Sequence, residues 1–261
     1  MSKIKTAAPP YMNARPLVWG LGREPKIEGG YIVPSQIAGM LERREIAAGL
    51  VSVAALFSNP ELQIVPGMSI SCDGPAESVK LFNYFPFETM RTLALDTSSL
   101  SSVLLAKVIL EEKYGLKPEY VPMHPSVPDM LASCDAAVVI GDTTMCTVRG
   151  KYGERDLGQE WKDLTDLPFV FAVWAVNPEM ASPELVEILA RSKALGISSL
   201  RDVANAESGR LGLPEEVCYH YLAEVMDYDL TDRHLEALNL FREKARQYGY
   251  ATSDHKIELY R

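Results

Sequence analysis

The sequence of 261 residues lacks an excess of basic side chains. Its 26 Lys and Arg residues stand against 35 Asp and Glu residues, which gives a formal net charge of -9. Nucleic acids and anionic membranes attract basic surfaces, so neither is an expected partner. No apolar run approaches the roughly 18 residues of a transmembrane helix, and the N-terminus lacks the apolar core of a signal peptide. We therefore expect a cytoplasmic protein.

Cysteine and histidine are scarce and scattered. The four cysteines form no CxxC pair and the four histidines form no HExxH motif, so neither a metal site nor a disulfide framework is expected. The cysteines are interpreted as buried free thiols. The chain has no P-loop and no GxSxG elbow, and "GLGRE" at 20–24 lacks the third glycine of a dinucleotide-binding motif. Common catalytic motifs therefore do not explain this protein.

What the chain does contain is an alternation of short apolar strands and helical patterns, which is typical of an α/β fold. Strands are predicted in "KIKTAA", "AAGLV", "PEYVPM" and at 91–95, and "PFVFAVWAV" (168–176) predicts a fully buried strand. Gly115 is expected to end the helix that follows residues 91–95. Further helices are predicted over "PSQIAGMLERREI", where Ser35 is a possible cap, and at about 126–133, 183–194, 198–206, 214–226 and 231–247.

Two breaks in this pattern, at "NYFPFETM" and at "PFVFAVWAV", indicate that the chain crosses twice between two lobes. The first lobe is predicted to hold residues 1–87 and 175–261, and the second lobe residues 88–174. A ligand is then expected in the cleft between the lobes. Periodicity leaves a simple doubly wound sheet open as an alternative. It also leaves the oligomeric state open between a monomer and a homodimer.

Polar clusters lie at several predicted strand ends. In "YMNAR", Asn13 offers a donor and an acceptor and Arg15 offers a fork that matches a carboxylate, although a turn and a surface ion pair would also explain them. Ser52 follows "AAGLV" and either caps the next helix or faces the cleft. In the stretch 77–82, Ser78 shares a face with Lys80 and either contacts a ligand or is an ordinary strand residue.

A further cluster has two parts, "DTSSLSS" and "GDTTM", each at the predicted start of a helix in the second lobe. The N-terminus of a helix exposes free N–H groups and a positive dipole end, which suit a carboxylate. Capping alone would explain Asp96, Ser98 and Thr143. Asp142 has a further option, since a carboxylate in that place can act as an acid or a base.

Several stretches together resemble the menaquinone-biosynthesis family of the futalosine pathway. They are "YMNARPLVWGL", "VPSQIAGML", "DGPAESVKLF", "LALDTSSLSSVLLAKVIL", "AAVVIGDTTM" and "DLGQEWKDLTDLPFVFAVW". They are more similar to the chorismate dehydratases than to the sister 1,4-dihydroxy-6-naphthoate synthases. The resemblance covers nearly the whole chain and implies a two-lobed periplasmic-binding-protein-like (type II) fold. Leu100 stands where an Arg is usual, so helix N–H groups would replace that cation.

This resemblance implies a lyase that removes water from chorismate to give 3-[(1-carboxyvinyl)oxy]benzoate, with chorismate as its small-molecule partner. No cofactor is expected, because formation of the aromatic ring drives the reaction. We hypothesise catalytic roles for Asn13, Ser78 and Asp142. The base is either Asp142 or the side-chain carboxylate of the substrate. The hypothesised substrate-binding residues are Arg15, Ser52, Thr97, Ser98, Ser99 and Thr143. The alternatives are the sister synthase and a non-enzymatic protein that binds a small anion.

Overall fold

The computed structural model describes residues 3–148, 150–251 and 256–261, and its strands form two separate sheets. The strands are β1 (Ile4–Ala8), β2 (Ile27–Tyr31), β3 (Ala48–Ser52), β4 (Gln63–Cys72), β5 (Val79–Asn83), β6 (Thr92–Asp96), β7 (Glu119–Met123), β8 (Ala136–Ile140), β9 (Gly153–Asp156), β10 (Phe169–Val176) and β11 (Glu258–Leu259). The first sheet has the order β11-β4-β10-β3-β1-β2, and the second has the order β7-β6-β8-β5-β9. Each sheet is the centre of one lobe.

Helices cover these sheets and connect their strands. They are α1 (Arg15–Val18), α2 (Pro34–Glu42), α3 (Val53–Leu56), α4 (Ser101–Tyr114), α5 (Val127–Ser133), α6 (Gly141–Met145), α7 (Leu157–Thr165), α8 (Pro183–Ser198), α9 (Leu200–Leu211), α10 (Glu215–His220) and α11 (Asp232–Gln247). Short 3₁₀ turns lie at Met12–Ala14, Leu21–Arg23 and Phe87–Thr89, and a π-helical turn lies at Tyr221–Val225. The two-lobed α/β fold predicted from the sequence is confirmed.

Most predicted elements are present, and the differences are local. Gly115 ends α4 in the left-handed conformation, with a φ of 62°, as expected for a glycine at this position. Helix α2 begins at Pro34 with Val33 as its N-cap, so the proposed cap at Ser35 is wrong. Residues 153–165 had no predicted element and form β9 and α7. Asp156 joins these two elements, and its carboxylate accepts hydrogen bonds from the first amides of α7.

The chain changes sheet earlier than the predicted lobe boundaries at residues 87 and 174. Strand β5 pairs with β8 and β9 in the second sheet, whereas β10 pairs with β3 and β4 in the first. The Gly-Pro turn at 74–75 joins β4 to β5 and so leads from one sheet to the other, which the sequence of such a turn does not reveal. We propose lobe boundaries at the two crossings, between Cys72 and Val79 and between Thr165 and Phe169.

Strand β10 holds the first sheet together. It lies between β3 and β4 and runs antiparallel to both, and all its residues except Ala172 are buried. This position explains its continuous apolar sequence. The C-terminal helices pack on the same lobe, where Gly196 of α8 leaves no room for a side chain beside the carbonyl of Pro16. This close approach supports α1 and the turn that carries Asn13.

The burial of the four cysteines agrees with the sequence prediction at three of them. Cys72, Cys134 and Cys218 are buried free thiols as predicted, but Cys146 is exposed, so the prediction is wrong for this residue.

Within residues 3–148, 150–251 and 256–261, no helix is both long and apolar enough to cross a membrane. The same residues contain no group of three His, Cys, Asp or Glu side chains placed to hold a metal ion.

Candidate functional site

A cavity of about 60 Å³ lies between the lobes, where the ends of β3, β6 and β8 meet. Its lining comes from both lobes and includes Tyr11, Asn13, Ser52, Phe171, Ser98, Ser99, Leu100, Ser101, Ser102 and Gly141. Ligands of α/β proteins bind at such carboxyl ends of strands. Small-molecule pockets usually have volumes of roughly 300–1,000 Å³, so this cavity is small for a ligand in the present arrangement of the lobes.

Serine hydroxyls satisfy the first amides of α4 at the cavity wall. The N–H of Ser101 donates to Oγ of Ser52 over 2.9 Å, and the two hydroxyl oxygens are 2.5 Å apart. The N–H of Ser102 donates to Oγ of Ser99 over 3.2 Å. These helix amides are therefore engaged rather than free, unlike the expectation from the sequence. The oxygen of Ser99 accepts the bond from Ser102, so its hydroxyl proton can be donated to a ligand. A hydroxyl that accepts one hydrogen bond becomes a stronger donor in a second one, because the two bonds polarise each other.

A buried carboxylate supports Ser98, the first residue of this stretch of the cavity wall. Oδ1 of Asp96 accepts from the N–H of Ser98 over 2.8 Å and from its hydroxyl over 2.5 Å, and Oδ2 accepts from the N–H of Ile140 over 3.2 Å. Burial raises the pKa of Asp96, and the hydrogen bonds from Ser98 and Ile140 oppose that rise. Asp96 therefore holds a tight turn around Ser98. It does not cap α4, whose N-cap is Leu100.

Tyr11 connects the first lobe to this turn. Its phenol is within hydrogen-bonding reach of Ser98, and its pKa is raised, mainly by burial. Its ring lies against Gly141, the first residue of α6 in the second lobe, where an added Cβ would lie 3.3 Å from Cδ1 of the ring. Gly141 also has a φ of +62°, a conformation that favours glycine. Both features make Gly141 a close point of contact between the lobes.

Asn13 lines the cavity, and Ser78 is buried behind it, next to the hydroxyl of Tyr221. Oγ of Ser78 is 2.8 Å from the hydroxyl of Tyr221, and the amide of Asn13 is within hydrogen-bonding reach of the same hydroxyl. Ser78 and Tyr221 are each 1% exposed. Burial is the main cause of a raised pKa for Tyr221, so its phenol stays protonated. Ser78 is therefore linked to the cavity through Tyr221 and Asn13.

Four charged side chains form a second connection between the lobes, which we call the charged bridge: Arg15, Glu207, Arg210 and Asp142. Oε1 of Glu207 is 2.9 Å from Nε of Arg15, and its Oε2 accepts from Nε of Arg210 over 2.7 Å. Arg210 in turn donates to Oδ2 of Asp142 over 2.6 Å. Oδ1 of Asp142 accepts from the N–H of Met12 over 3.0 Å. The charged bridge therefore joins α9 and the turn before α1 to α6 of the other lobe.

The structure brings together four of the residues proposed from the sequence and leaves five outside the cavity lining. Asn13, Ser52, Ser98 and Ser99 line the cavity. Ser78 is buried behind it, and Arg15 and Asp142 lie in the charged bridge. Thr97 and Thr143 are exposed, and the N–H of Thr97 donates to the carbonyl of Met123. The roles of all nine in substrate binding and catalysis stay predictions.

Sequence reasoning missed other residues that shape this site. Tyr11 and Ser101 lie within stretches already singled out, "YMNAR" and "DTSSLSS", so their neighbours were a usable signal. Glu207, Arg210 and Tyr221 lie in C-terminal helical segments that showed only an amphipathic pattern. Their part in the site follows from packing between distant segments, which periodicity does not report.

Comparisons with known proteins find a family model and a relative that match most of the chain. A family model for menaquinone biosynthesis matches residues 4–247. The chorismate dehydratase of Thermus thermophilus is 32% identical over 236 aligned residues, which cover 82% of this chain and 85% of that protein.

Solved structures resemble the fold at much lower identity. A protein from Archaeoglobus fulgidus has a TM-score of 0.75 at 16% identity, over 95% of this chain and 98% of its own. The periplasmic aliphatic sulphonate binding protein of Escherichia coli has a TM-score of 0.67 at 16% identity, over 100% of this chain and 98% of its own. These likenesses show a periplasmic-binding-protein-like fold. The match over residues 4–247, with the 32% identity to the Thermus thermophilus protein, shows that the chain belongs to the menaquinone-biosynthesis family.

Proposed function

We propose that this protein is a lyase that eliminates water from chorismate to give 3-[(1-carboxyvinyl)oxy]benzoate, the first step of the futalosine route to menaquinone. The relative from Thermus thermophilus supports this reaction, because it is named for it and matches most of the chain. The structural observation that carries the proposal is the position of Asn13 and Ser98. They come from opposite lobes and line one cavity, at the place where a small substrate would be enclosed.

The reaction asks little of the protein beyond orientation and charge stabilisation. Chorismate loses its C4 hydroxyl and its C3 hydrogen as water, and the ring diene becomes aromatic without a change of oxidation state. The C3 hydrogen is vinylogous to the ring carboxylate, so its removal moves negative charge onto that carboxylate. Donors around the carboxylate then bind the transition state more strongly than the substrate, which lowers the barrier.

The hydroxyl of Ser99 in the second-lobe turn is suited to that carboxylate, whereas the hydroxyl of Ser98 already donates to Oδ1 of Asp96. Ser98 and Ser99 line the cavity, and Ser99 keeps a hydroxyl proton because its oxygen accepts from the N–H of Ser102. Asn13 approaches from the other lobe, where its amide can bond the leaving hydroxyl or the second carboxylate. Lobe closure places these groups in contact with the substrate and removes water, which strengthens their electrostatic effect.

Two groups are candidates for the base that takes the C3 proton: Asp142 and the side-chain carboxylate of the substrate. Both oxygens of Asp142 have partners, Met12 and Arg210, and Asp142 is not part of the cavity lining. These contacts favour the substrate carboxylate, which would take the C3 proton while the protein holds the ring in place. Replacing Asp142 by Asn separates the two: a kcat close to wild type supports the substrate carboxylate, and a fall of about 10²-fold or more supports Asp142.

One assay tests the proposed function. Purified protein is incubated with chorismate, and the aromatic product is followed by its ultraviolet absorbance and identified by its mass. We expect loss of one water from chorismate, at a rate proportional to protein concentration. The Asn13→Ala variant is the matched control for a contaminating activity, since it differs only at the cavity wall.

A second candidate function, binding of a small anion without turnover, has one observation in its favour. The solved structures that share the fold include an alkanesulfonate-binding protein of Xanthomonas axonopodis bound to MOPS, with a TM-score of 0.70 at 14% identity. Tight binding of chorismate without product would support this alternative. Turnover of a cyclic futalosine, with none of chorismate, would instead support the sister synthase.

A further inference from the structure

From the buried contacts behind the cavity we infer that Tyr221 is a positioning residue, whose hydroxyl orients Asn13 and Ser78 for the reaction. This inference rests on the proposed function, and it goes beyond the residues that the sequence suggested. Oγ of Ser78 is 2.8 Å from the Tyr221 hydroxyl; burial raises the pKa of that hydroxyl, and the side chain of Asn13 is close enough to lower it. Asn13 and Ser78 are 65 residues apart in the chain (78 − 13), and Tyr221 follows Ser78 by another 143 residues. One phenol therefore links three remote segments.

The phenol can fill this role because backbone hydrogen bonds fix the segment that carries Tyr221. Tyr221 begins the π-helical turn Tyr221–Val225, and such turns are frequent at functional sites. Just after this turn, Asp227 exchanges two backbone hydrogen bonds with Ser71, of 2.9 and 2.8 Å. The segment that carries Tyr221 is thus attached to β4 of the first sheet.

Ser78 is fixed in the same way by backbone contacts. The carboxylate of Asp156 accepts from the N–H groups of Ala76 and Glu77 over 2.8 and 2.7 Å. The carbonyl of Ser78 accepts from the N–H of Gly141 over 2.7 Å. The backbone on both sides of Ser78 is therefore set, and rotation of its side chain is the freedom that remains. The Tyr221 hydroxyl restrains that rotation.

The same logic applies to Asn13. An amide side chain presents either its oxygen or its NH₂ group to a cavity, and its partners decide which one. Because the phenol of Tyr221 stays protonated, it offers one donor and one acceptor at all working pH values. It thereby limits the orientations that Asn13 and Ser78 can adopt together. Tyr221 is 1% exposed and is not part of the cavity lining, so it acts through these two residues and not on the substrate.

The protein supplies a matched control only seven residues away. Tyr228 is also buried, at 5% exposed, and within the described residues its hydroxyl has no hydrogen-bond partner. Tyr221→Phe and Tyr228→Phe each remove one buried phenolic oxygen from neighbouring turns of chain. They differ in whether that oxygen orients anything.

The test compares kcat and KM for chorismate in the wild type and in these two variants. We expect Tyr221→Phe to lower kcat by between about 10-fold and 10²-fold with KM changed less than about threefold, the size of a small misplacement of reacting groups. Tyr228→Phe is expected to leave both constants near wild type. Equal kcat values for Tyr221→Phe and wild type, or equal losses in the two variants, would overturn the inference.

A double-mutant cycle separates positioning from general destabilisation. If Tyr221 acts through Ser78, the variant Ser78→Ala/Tyr221→Phe has nearly the kcat of Ser78→Ala alone, whereas independent effects multiply. Multiplied losses would count against the inference. All variants are assayed below the lowest Tm of the set, so that each is folded. A wild-type protein that forms no product from chorismate refutes the proposed function instead, which keeps the two failures distinct.

Discussion

Two of the places where the lobes meet have opposite chemistry. At the cavity, the contacts between lobes are made by neutral groups: Ser52 with Ser101, and Tyr11 with Ser98. At the charged bridge they are made by Arg210 with Asp142, next to the pair of Arg15 and Glu207. Both places join the same two lobes, yet neither arginine of the charged bridge is part of the cavity lining.

This difference fits a doubly anionic substrate. Ionised side chains that already pair with each other hold two lobes together without competing for the ligand. Donors with neutral partners, such as Ser52, Ser99 and Ser101, can turn to a substrate carboxylate at little cost, because no buried charge loses a partner when they do so. We therefore expect changes at the cavity to affect catalysis and changes at the charged bridge to affect closure.

The largest effect is expected at the cavity itself. Asn13→Ala removes the first-lobe amide that faces the substrate, and we expect kcat to fall by about 10²–10³-fold, as for loss of one preorganised donor. Steady-state kinetics with chorismate measure this. The control is Asn239→Ala on the exposed face of α11, whose amide donates to the carbonyl of Leu235 and whose loss should leave kcat unchanged. A kcat for Asn13→Ala within twofold of wild type would remove Asn13 from the site.

A smaller effect is expected where the lobes touch. Gly141→Ala forces a side chain into a left-handed conformation and against the ring of Tyr11. Gly115→Ala has the same φ of +62° but open space around the added methyl group. We expect the Gly115 variant to lose about 1–2 kcal/mol in the free energy of unfolding, and the Gly141 variant to lose more, because only it also presses on Tyr11. Urea denaturation measures both. Equal losses would mean that Tyr11 yields freely and that this contact is loose.

At the charged bridge we expect weaker closure with normal chemistry. Arg210→Met keeps the aliphatic stem but leaves Oδ2 of Asp142 without its cation. The side chain of Arg210 is 37% exposed, so we take the low end of the range for charged hydrogen bonds, about 1–1.5 kcal/mol. The expected result is a rise in KM of about tenfold with kcat nearly unchanged.

A control on the same helix tests this interpretation of the charged bridge. Arg201→Met breaks an exposed ion pair with Glu216 and should leave KM near the wild-type value. Raising the salt concentration should weaken binding in the wild type more than in Arg210→Met, because salt screens a pair that the variant lacks. A fall in kcat with KM constant would contradict the division between cavity and charged bridge.

The smallest effect concerns Asp96, the buried carboxylate that accepts hydrogen bonds from Ser98. Its pKa is raised by burial, so its ionised form is less favourable in the folded state than in the unfolded state. Its contribution to stability is therefore full below pH 3.8, its ordinary pKa, and declines as pH rises through the raised pKa. The unfolding free energy of wild type minus that of Asp96→Asn should accordingly fall as pH increases from 3.8.

Asp135 provides a comparison of opposite sign. Hydrogen bonds from the N–H groups of Arg91 and Thr92 lower its pKa. Its contribution to stability is therefore present above pH 3.8 and is lost as pH falls through the lowered pKa. Urea denaturation at pH values on both sides of 3.8 measures the unfolding free energy of wild type minus that of each variant. This difference should fall with rising pH for Asp96→Asn above pH 3.8 and rise with pH for Asp135→Asn below it. Parallel slopes would show that Asp96 is not destabilised by its burial.

Much of the fold could be predicted because its signals are local. The continuous apolar run of β10 reports a strand covered on both sides, and Gly115 reports the end of a helix. The serines at 98–102 were placed correctly beside a strand end for the same reason. The sheet to which β5 belongs was not predictable in this way, since a strand shows the same alternation whichever partner it pairs with.

By itself, the sequence determined where strands and helices form, which of their faces are buried, and that Asn13 and a run of serines follow strand ends. Only the tertiary structure decided what the charges and hydroxyls meet. Arg210 pairs with Asp142 across 68 residues, and Tyr221 contacts Ser78 across 143. Periodicity reports what a segment buries within a few turns of itself, whereas the partner of a polar group depends on how remote segments pack. That packing placed Arg15 and Asp142 in the charged bridge, and it placed an unpredicted tyrosine behind the site.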